Sequence, residues 1–137
     1  LTTGGQFMPY HHSEHFNMPT IRYISPEPYF TIHPETAEEL GIAFGDWCWI
    51  ETRRGRIRQR ADVQPMVDPR VVFVPRGWWF PERKDEAEEN TEDPNRGLFG
   101  VFESQINNLV PFDAGVSGFG SNYKTMMCKI YRDGEQA

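Results

Sequence analysis

The chain opens with Thr2, Thr3, Gly4 and Gly5, residue types that suit the binding of an anion. Adjacent glycines let the backbone approach a ligand closely and turn its N–H groups toward a negative charge. Threonine hydroxyls can add hydrogen bonds to the same ligand. The same composition also fits a flexible segment without a ligand, so both interpretations stay open at this point.

A second polar cluster lies near the other end of the chain. It consists of Asn107, Asn108, Asp113, Gly118, Asn122 and Lys124. Side-chain amides both donate and accept hydrogen bonds, which suits purine edges and ribose hydroxyls. The Lys124 ammonium can neutralise a phosphate. Turn chemistry is the competing interpretation, because Asn, Asp and Gly favour turns wherever they occur.

The run His11–His15 contains three histidines and one glutamate. These are zinc-ligand types, but their spacing places them on no common helix or strand face, and no cysteine lies nearby. Hydrogen bonding to a polar ligand or to the local backbone is therefore favoured over metal binding. The sequence also lacks a GxSxG elbow, a Walker loop and an HExxH motif, so it predicts no catalytic residue and no metal site.

Two further groups of residues could form interaction surfaces. Trp78 and Trp79 are adjacent, and neighbours on a strand point to opposite sides. One of them could stack on a ligand or pack against another domain, or the pair could be a core residue and a loop anchor. The arginines of residues 53–60 form either a solvated strand face or an interface with an acidic neighbouring domain.

Composition limits the class of protein. The 137 residues fit one domain, residues 1–137, and the net charge of −6 argues against nucleic-acid binding. No apolar run approaches the roughly 20 residues of a membrane helix. Cys48 and Cys128 lie far apart in apolar runs, which predicts buried thiols. Because the first residue is Leu1 rather than Met, we expect the chain to be part of a longer protein.

The secondary structure that must position the polar clusters is predicted to be mostly β. Trp47–Thr52 and Arg56–Val63 are predicted to form a hairpin, since the second run alternates apolar and charged residues with period two. Further short strands are predicted at residues 29–33, 71–74 and 125–131.

Residues 33–41 are predicted to form one short helix. Pro34 suits its first position, Glu35 complements the helix dipole, and Gly41 can adopt the left-handed conformation that ends it. Ala37, Leu40 and Ile42 are expected to face the core.

The remaining segments are predicted to be loops. Residues 1–28 are expected to be extended or looping, residues 82–97 to form an acidic surface loop, and residues 102–109 to contain a helical turn or two. Many short strands with one or two short helices indicate a closed or nearly closed β-barrel.

One long run carries a family resemblance: His33-Pro34, then Ala37, Leu40-Gly41-Ile42 and Gly45-Asp46. Before it come the Thr3-Gly4-Gly5 and His12-Ser13 motifs, and after it come Trp47, Arg54-Gly55, Asn108-Leu109 and Lys124. In this order the residues resemble the C-terminal molybdopterin-dinucleotide-binding domain of the dimethyl sulfoxide reductase family of molybdenum and tungsten oxidoreductases. That family includes formate dehydrogenases, nitrate reductases, thiosulfate reductases and acetylene hydratase.

The resemblance implies a fold, a cofactor and a set of site residues. The fold is a six-stranded double-psi β-barrel of the aspartate-decarboxylase-like type, with one or two short helices. The cofactor is a bis(molybdopterin guanine dinucleotide), of which this domain would hold a part, with molybdenum or tungsten bound in another domain. The cofactor-contacting residues implied by position are Thr3, Gly4, Gly5, His12, Ser13, Asn108 and Lys124.

The resemblance also implies partners, namely the remaining domains of a formate-dehydrogenase-like catalytic subunit and an iron–sulfur electron-transfer subunit. Two alternatives remain. One is a protein-binding double-psi barrel without cofactor, whose surface would be the Trp78-Trp79 pair and the arginines of residues 53–60. The other is a pyruvoyl-dependent decarboxylase that cleaves itself at the Gly120–Ser121 bond. Substrate and compartment, cytoplasmic or periplasmic, stay open.

Overall fold

The computed structural model describes residues 1–5, 10, 14–15, 18–78, 103–111 and 124–134. Within these ranges the chain forms a six-stranded sheet and three short helices. The elements in chain order are β1 (Thr2–Gly4), α1 (Pro19–Ile24), β2 (Tyr29–Ile32), α2 (Pro34–Glu39), β3 (Trp47–Thr52), β4 (Gly55–Val63), β5 (Val72–Pro75), a 3₁₀ helix (Ile106–Asn108) and β6 (Lys129–Arg132). The predicted mostly β class with short helices is confirmed.

The β3–β4 hairpin is present, as the alternating sequence predicted. The two strands pair antiparallel from Trp47 opposite Arg60 to Thr52 opposite Gly55. Alternation sends one face of β4 inward, where Ile57 is fully buried. The opposite face of β4 carries arginines toward the protein surface.

The sheet has the strand order β1-β5-β2-β4-β3-β6. The β1–β5 and β2–β4 pairs are parallel, and the other pairs are antiparallel. Beyond the strands themselves, Leu1 and Met126 exchange two backbone hydrogen bonds, of 2.7 and 3.2 Å. The segments that adjoin the two outermost strands are therefore bonded to each other. Among the described residues, no helix is long and apolar enough to cross a membrane.

The core lies between the inner faces of the strands and α2. Its fully buried side chains include Phe30, Ile32, Ile50, Ile57, Val74 and Leu109. Leu109 follows the 3₁₀ helix, so this late segment is anchored by apolar burial, which contributes about 1.5–3 kcal/mol for a residue of this size.

The α2 helix, Pro34–Glu39, lies within the predicted residues 33–41 and is shorter at both ends, because His33 and Leu40 are its caps. His33 caps it by accepting a hydrogen bond at Nδ1 from the Glu35 N–H at 3.2 Å, and Gly41 has a φ of +65°. Ala37 is buried as predicted, but the expectation for Leu40 was wrong, since 41% of it is exposed. Leu40 is the last residue of the helical conformation, and the left-handed turn at Gly41 sends Ile42 into the core in its place.

The prediction for residues 1–28 was incomplete, because this segment contains β1 and α1. The β1 strand exists through its pairing with β5, a contact that local sequence does not encode. The α1 helix buries none of its residues, so its sequence shows no apolar periodicity.

The last strand begins four residues later than predicted, at Lys129. Its pairing with β3 runs only from Lys129 to Arg132, whereas Met126 bonds to Leu1. Cys128 lies in this connecting stretch and is only half-buried, unlike the fully buried Cys48. Burial nonetheless raises the pKa of the Cys128 thiol.

Candidate functional site

A cavity of about 490 Å³ lies where β1 and β5 end. Its described lining consists of Thr3, Gly4, Gly5, Arg76, Ile106, Asn107, Val110 and Lys124. Thr3, Gly4 and Gly5 of the first polar cluster therefore meet Asn107 and Lys124 of the second, although most of the sequence separates them. This is the juxtaposition that a shared binding site requires.

The parallel pairing of β1 with β5 builds one wall of this cavity. Gly4 lies opposite Pro75, and the Arg76 N–H donates to the Gly4 carbonyl oxygen at 3.0 Å. The strand ends are thereby locked in register, which places Arg76 beside the glycine pair. The 3₁₀ helix forms another wall. Its first residue, Ile106, is buried, and its second, Asn107, is exposed.

The Thr3 side chain is the most unusual group in the cavity wall. Thr3 is 6% exposed, and its Oγ1 has no hydrogen-bond partner. A buried hydroxyl without a partner costs about 1–3 kcal/mol, so native structures rarely keep one without a reason. A bound group with a donor or an acceptor would remove this cost, since a hydroxyl can serve as either.

The two glycines make the cavity accessible from the backbone. A Cβ on Gly4 would lie 2.9 Å from Cε2 of Phe73, which leaves no room for a side chain unless that ring moves. A Cβ on Gly5 would meet no atom within 4 Å, so the Gly5 backbone is open to an approaching group. Exposed backbone N–H groups and cations together suit an anion.

The charge of the cavity wall is positive. Arg76 and Lys124 are exposed, and none of the described lining residues carries a carboxylate. Within the described part of the wall, no carboxylate neutralises these two charges. Two cations, a buried hydroxyl, a side-chain amide and open backbone together form a donor set that fits a phosphate-bearing ligand.

The predicted site residues fall into three groups. Thr3, Gly4, Gly5 and Lys124 line the cavity. Asn108 does not; its backbone oxygen lies 3.2 Å from the position of a Cβ on Gly55. His12 and Ser13 lie outside the described residues, as do Trp79, residues 82–97 and the Gly120–Ser121 bond.

Sequence reasoning missed Arg76 and did not separate Asn107 from Asn108. Arg76 follows a strand-ending proline, and its role depends on the pairing of β5 with β1. A prediction of that register would have revealed it.

The arginines of β4 form a different kind of surface. The guanidinium carbon of Arg56 lies 4.3 Å from the ring centroid of Trp49, and those of Arg58 and Arg60 lie 4.9 and 4.8 Å from that of Trp47. Each contact is a cation–π interaction, in which the electron-rich face of the ring attracts the guanidinium.

Carboxylates of the same chain neutralise two of these arginines. Arg58 pairs with Glu103 at 3.2 Å and with Asp133 at 2.9 Å, and Arg60 donates to Glu27 at 3.0 Å. Burial opposes ionisation of Asp133, but hydrogen bonds from Arg58 and Trp49 outweigh it and lower the pKa of that carboxyl. The acidic partner expected from a neighbouring domain is thus present within this chain.

Trp78 is a packing residue. It is 5% exposed, meets Tyr10 edge-on with ring centroids 6.4 Å apart, and lies under the Arg22 guanidinium at 5.0 Å. Of the two interpretations of the tryptophan pair, burial in the domain is therefore the correct one for Trp78. In the described part of the chain, no group of three or more His, Cys, Asp or Glu residues could hold a metal ion.

The sheet and the cavity define a small mostly β domain with an open cavity whose described wall carries two cations. Residues 1–126 match the family model described as the molydopterin dinucleotide binding domain. The chain belongs to this family, and the resemblance seen in the sequence is confirmed.

The relatives are molybdopterin enzymes of the dimethyl sulfoxide reductase family. Dopamine dehydroxylase of Eggerthella lenta is 39% identical over 132 residues, which are 96% of this chain and 12% of that protein. Acetylene hydratase of Syntrophotalea acetylenica is 32% identical over 68 residues, which are 50% of this chain and 9% of that protein.

A solved structure shows the same fold. Acetylene hydratase from Pelobacter acetylenicus matches with a TM-score of 0.78 and 23% identity, over 96% of this chain and 18% of that one. The chain thus spans less than a fifth of the length of each of these relatives.

Proposed function

We propose that the cavity between β1 and Lys124 binds the phosphate-bearing part of a molybdopterin guanine dinucleotide. The chain would then be the cofactor-binding C-terminal domain of a larger molybdenum or tungsten oxidoreductase. The observation that carries this proposal is the convergence of Thr3, Gly4, Gly5 and Lys124 on one cavity without acidic residues in its described lining. Membership of the dinucleotide-binding family supports it independently.

The residues present fit such a ligand. Arg76 and Lys124 would neutralise phosphate charge, and the orphaned Thr3 hydroxyl would gain the hydrogen bond it lacks. Asn107 would offer an amide to a ribose or base, and Gly5 would admit the ligand to the backbone. When bound, the cofactor supplies the redox chemistry, and the protein supplies position and electrostatics.

Three residues from the family motif belong to the proposal on that basis alone. They are His12, Ser13 and Asn108, which we assign to cofactor contacts of the bis(molybdopterin guanine dinucleotide). No catalytic residue and no metal ligand is assigned to this chain. Its contribution to the reaction is to hold and orient the cofactor.

The proposal includes a closed double-psi barrel. The two backbone hydrogen bonds between Leu1 and Met126 support it, because they join the segments beside the two outermost strands. Closure would remove the exposed edges of β1 and β6. It would also fix Lys124, two residues before Met126, relative to the glycine pair.

The partners in this proposal are the remaining domains of the catalytic subunit. The lengths of the relatives support this, because the matched part of the chain corresponds to only 12% of the dehydroxylase and 9% of the hydratase. An iron–sulfur subunit for electron transfer would complete the assembly.

The cofactor-free protein-binding module receives less support from the geometry. Two parts of its expected surface are already engaged within the domain: Trp78 is buried, and Arg58 and Arg60 pair with carboxylates of the same chain.

The test compares matched arginine variants of the full-length protein that contains this chain. After anaerobic purification and acid release, the guanine nucleotide and the molybdenum or tungsten are counted per polypeptide. We expect Arg76→Met to lower both counts, because it removes a cation of the cavity, and Arg54→Met, the same change in an exposed turn, to leave them unchanged. Wild-type protein without nucleotide or metal, or equal counts in the two variants, would refute the proposal.

A further inference from the structure

A second cavity, of about 60 Å³ and open to solvent, lies apart from the cofactor cavity and shares none of its described lining. It is lined by Tyr10, Ser25, Glu27, Pro28, Tyr29, Gln59, Pro75 and Trp78. Three aromatic rings and two prolines thus provide most of its wall. Flat apolar walls of this kind suit a planar ligand.

The polar group at this cavity is the Gln59 carboxamide. Gln59 lies on the inner face of β4 and is 1% exposed. Its Nε2 donates to the Ser104 carbonyl oxygen at 2.9 Å. Because that carbonyl can only accept, it fixes which end of the amide is the nitrogen. The carboxamide oxygen, Oε1, is then left buried without a hydrogen-bond partner.

Two other polar groups around the cavity are already engaged. The Tyr10 hydroxyl donates to the Ser25 carbonyl oxygen, and the Glu27 carboxylate pairs with Arg60. Gln59 Oε1 is therefore an unmet acceptor beside aromatic walls. A ligand that fits must bring a hydrogen-bond donor on a flat apolar frame.

Charge favours a neutral ligand. The Arg22 guanidinium lies 5.0 Å from the Trp78 ring centroid, so this ring already has a cation on it. A cationic ligand against the same ring would be repelled by the Arg22 guanidinium. A neutral N–H group has no such cost.

We propose that this cavity is a second binding site, which takes a small, neutral, planar group and accepts its N–H hydrogen bond at Gln59 Oε1. The donor belongs either to a free small molecule or to a side chain from another domain of the same polypeptide. The site does not depend on the proposed cofactor function, because the two cavities share no described lining residue.

The probes are pyrrole and furan, planar five-membered rings of nearly equal size of which only pyrrole carries an N–H. Each is titrated into the full-length protein and soaked into its crystals. We expect pyrrole to bind about tenfold more tightly than furan, with its nitrogen about 3 Å from Gln59 Oε1. Binding of both probes with equal affinity, or a water molecule alone on Oε1 in both soaks, would overturn the proposal.

The crystals also distinguish the two sources of the donor. Pyrrole on Gln59 Oε1 supports a free ligand. A side-chain N–H from another domain on Oε1, with both probes excluded, supports the internal donor.

Two glutamine variants test the acceptor. Where pyrrole binds, Gln59→Met should abolish its advantage over furan, whereas Gln64→Met, on a glutamine that pairs with Asp62, should keep it. If Gln59→Met fails to fold, two measurements on the wild-type protein still test the proposal: the ratio of the pyrrole and furan affinities, and the identity of the group bound to Oε1.

Discussion

The chain carries two groups of cations that differ in what surrounds them. On β4, Arg58 and Arg60 lie over the Trp47 ring and pair with carboxylates of the same domain. At the cavity, Arg76 and Lys124 share a wall in which no described residue is acidic. The fold itself pairs the first group with carboxylates, whereas the described wall around the second group supplies none.

This difference gives a physical criterion for separating structural from binding charges. A partly buried arginine with its own acids stabilises the domain, and its removal takes an ion pair from those acids. An exposed cation on a cavity wall contributes little to folding. It can contribute much to the affinity for a phosphate. The predictions below test this contrast in order of expected effect.

The largest effect is expected on stability at Arg58. Arg58→Met should destabilise the hairpin by about 2 kcal/mol, because the 10%-exposed Glu103 side chain loses its ion pair. Faster hydrogen exchange of the β3 and β4 amides in the full-length protein would report this loss. Arg76→Met should change the same exchange by less than about 0.5 kcal/mol. Equal effects of the two changes would erase the contrast.

The next effect is on the cofactor. Lys124→Met should weaken retention of the guanine dinucleotide about tenfold, since a charged hydrogen bond to phosphate is lost. The nucleotide remaining on the protein after dialysis measures this. Lys129→Met, at an exposed position in β6, is the control and should retain the wild-type amount. Equal retention by both variants would count against Lys124 as a ligand.

Thr3 offers a change with opposite effects on folding and binding. Thr3→Val keeps the shape but removes the unpaired hydroxyl, so the cofactor-free protein should become about 1 kcal/mol more stable. Cofactor retention should fall in the same variant. Thermal unfolding of cofactor-free protein and nucleotide content measure the two sides. A loss of stability without loss of cofactor would mean that the hydroxyl serves the fold.

The smallest effect concerns acid. The pKa of Asp133 is lowered in the folded state, so its contribution to stability is present above the ordinary Asp value near 4 and is lost as pH falls through the folded value. Asp133 is partly exposed, so this contribution is below about 1 kcal/mol. Asp133→Asn should destabilise at neutral pH and flatten the loss below pH 4. An unchanged slope in acid unfolding curves would contradict the assignment.

Local sequence patterns predicted the elements whose signals are local. The period-two alternation of residues 56–63 gave the hairpin, and Pro34 with Gly41 gave the limits of α2. Features that depend on pairing between distant residues were not predicted. They are the β1 strand, which pairs with β5, and the start of β6 at Lys129, which is set by its pairing with β3.

The residues of the candidate site divide in the same way, into those that local sequence identifies and those that depend on distant pairing. Thr3, Gly4, Gly5 and Lys124 carry chemistry that can be read from residue type and family motif, and the cavity brings them together. Arg76 could not be found this way, because an arginine after a strand is common and its value depends on the β1–β5 register. The internal pairing of Arg58 was equally hidden, since Glu103 and Asp133 lie far away in sequence.

The most direct test of the central claim is a crystal structure of the full-length protein with its cofactor bound. The measurement is the distance from Thr3 Oγ1 to the nearest cofactor oxygen. We expect a hydrogen bond of about 3 Å, with cofactor phosphates between Arg76 and Lys124. A cofactor bound elsewhere, with Thr3 Oγ1 still unpaired and the cavity filled by solvent alone, would contradict the account.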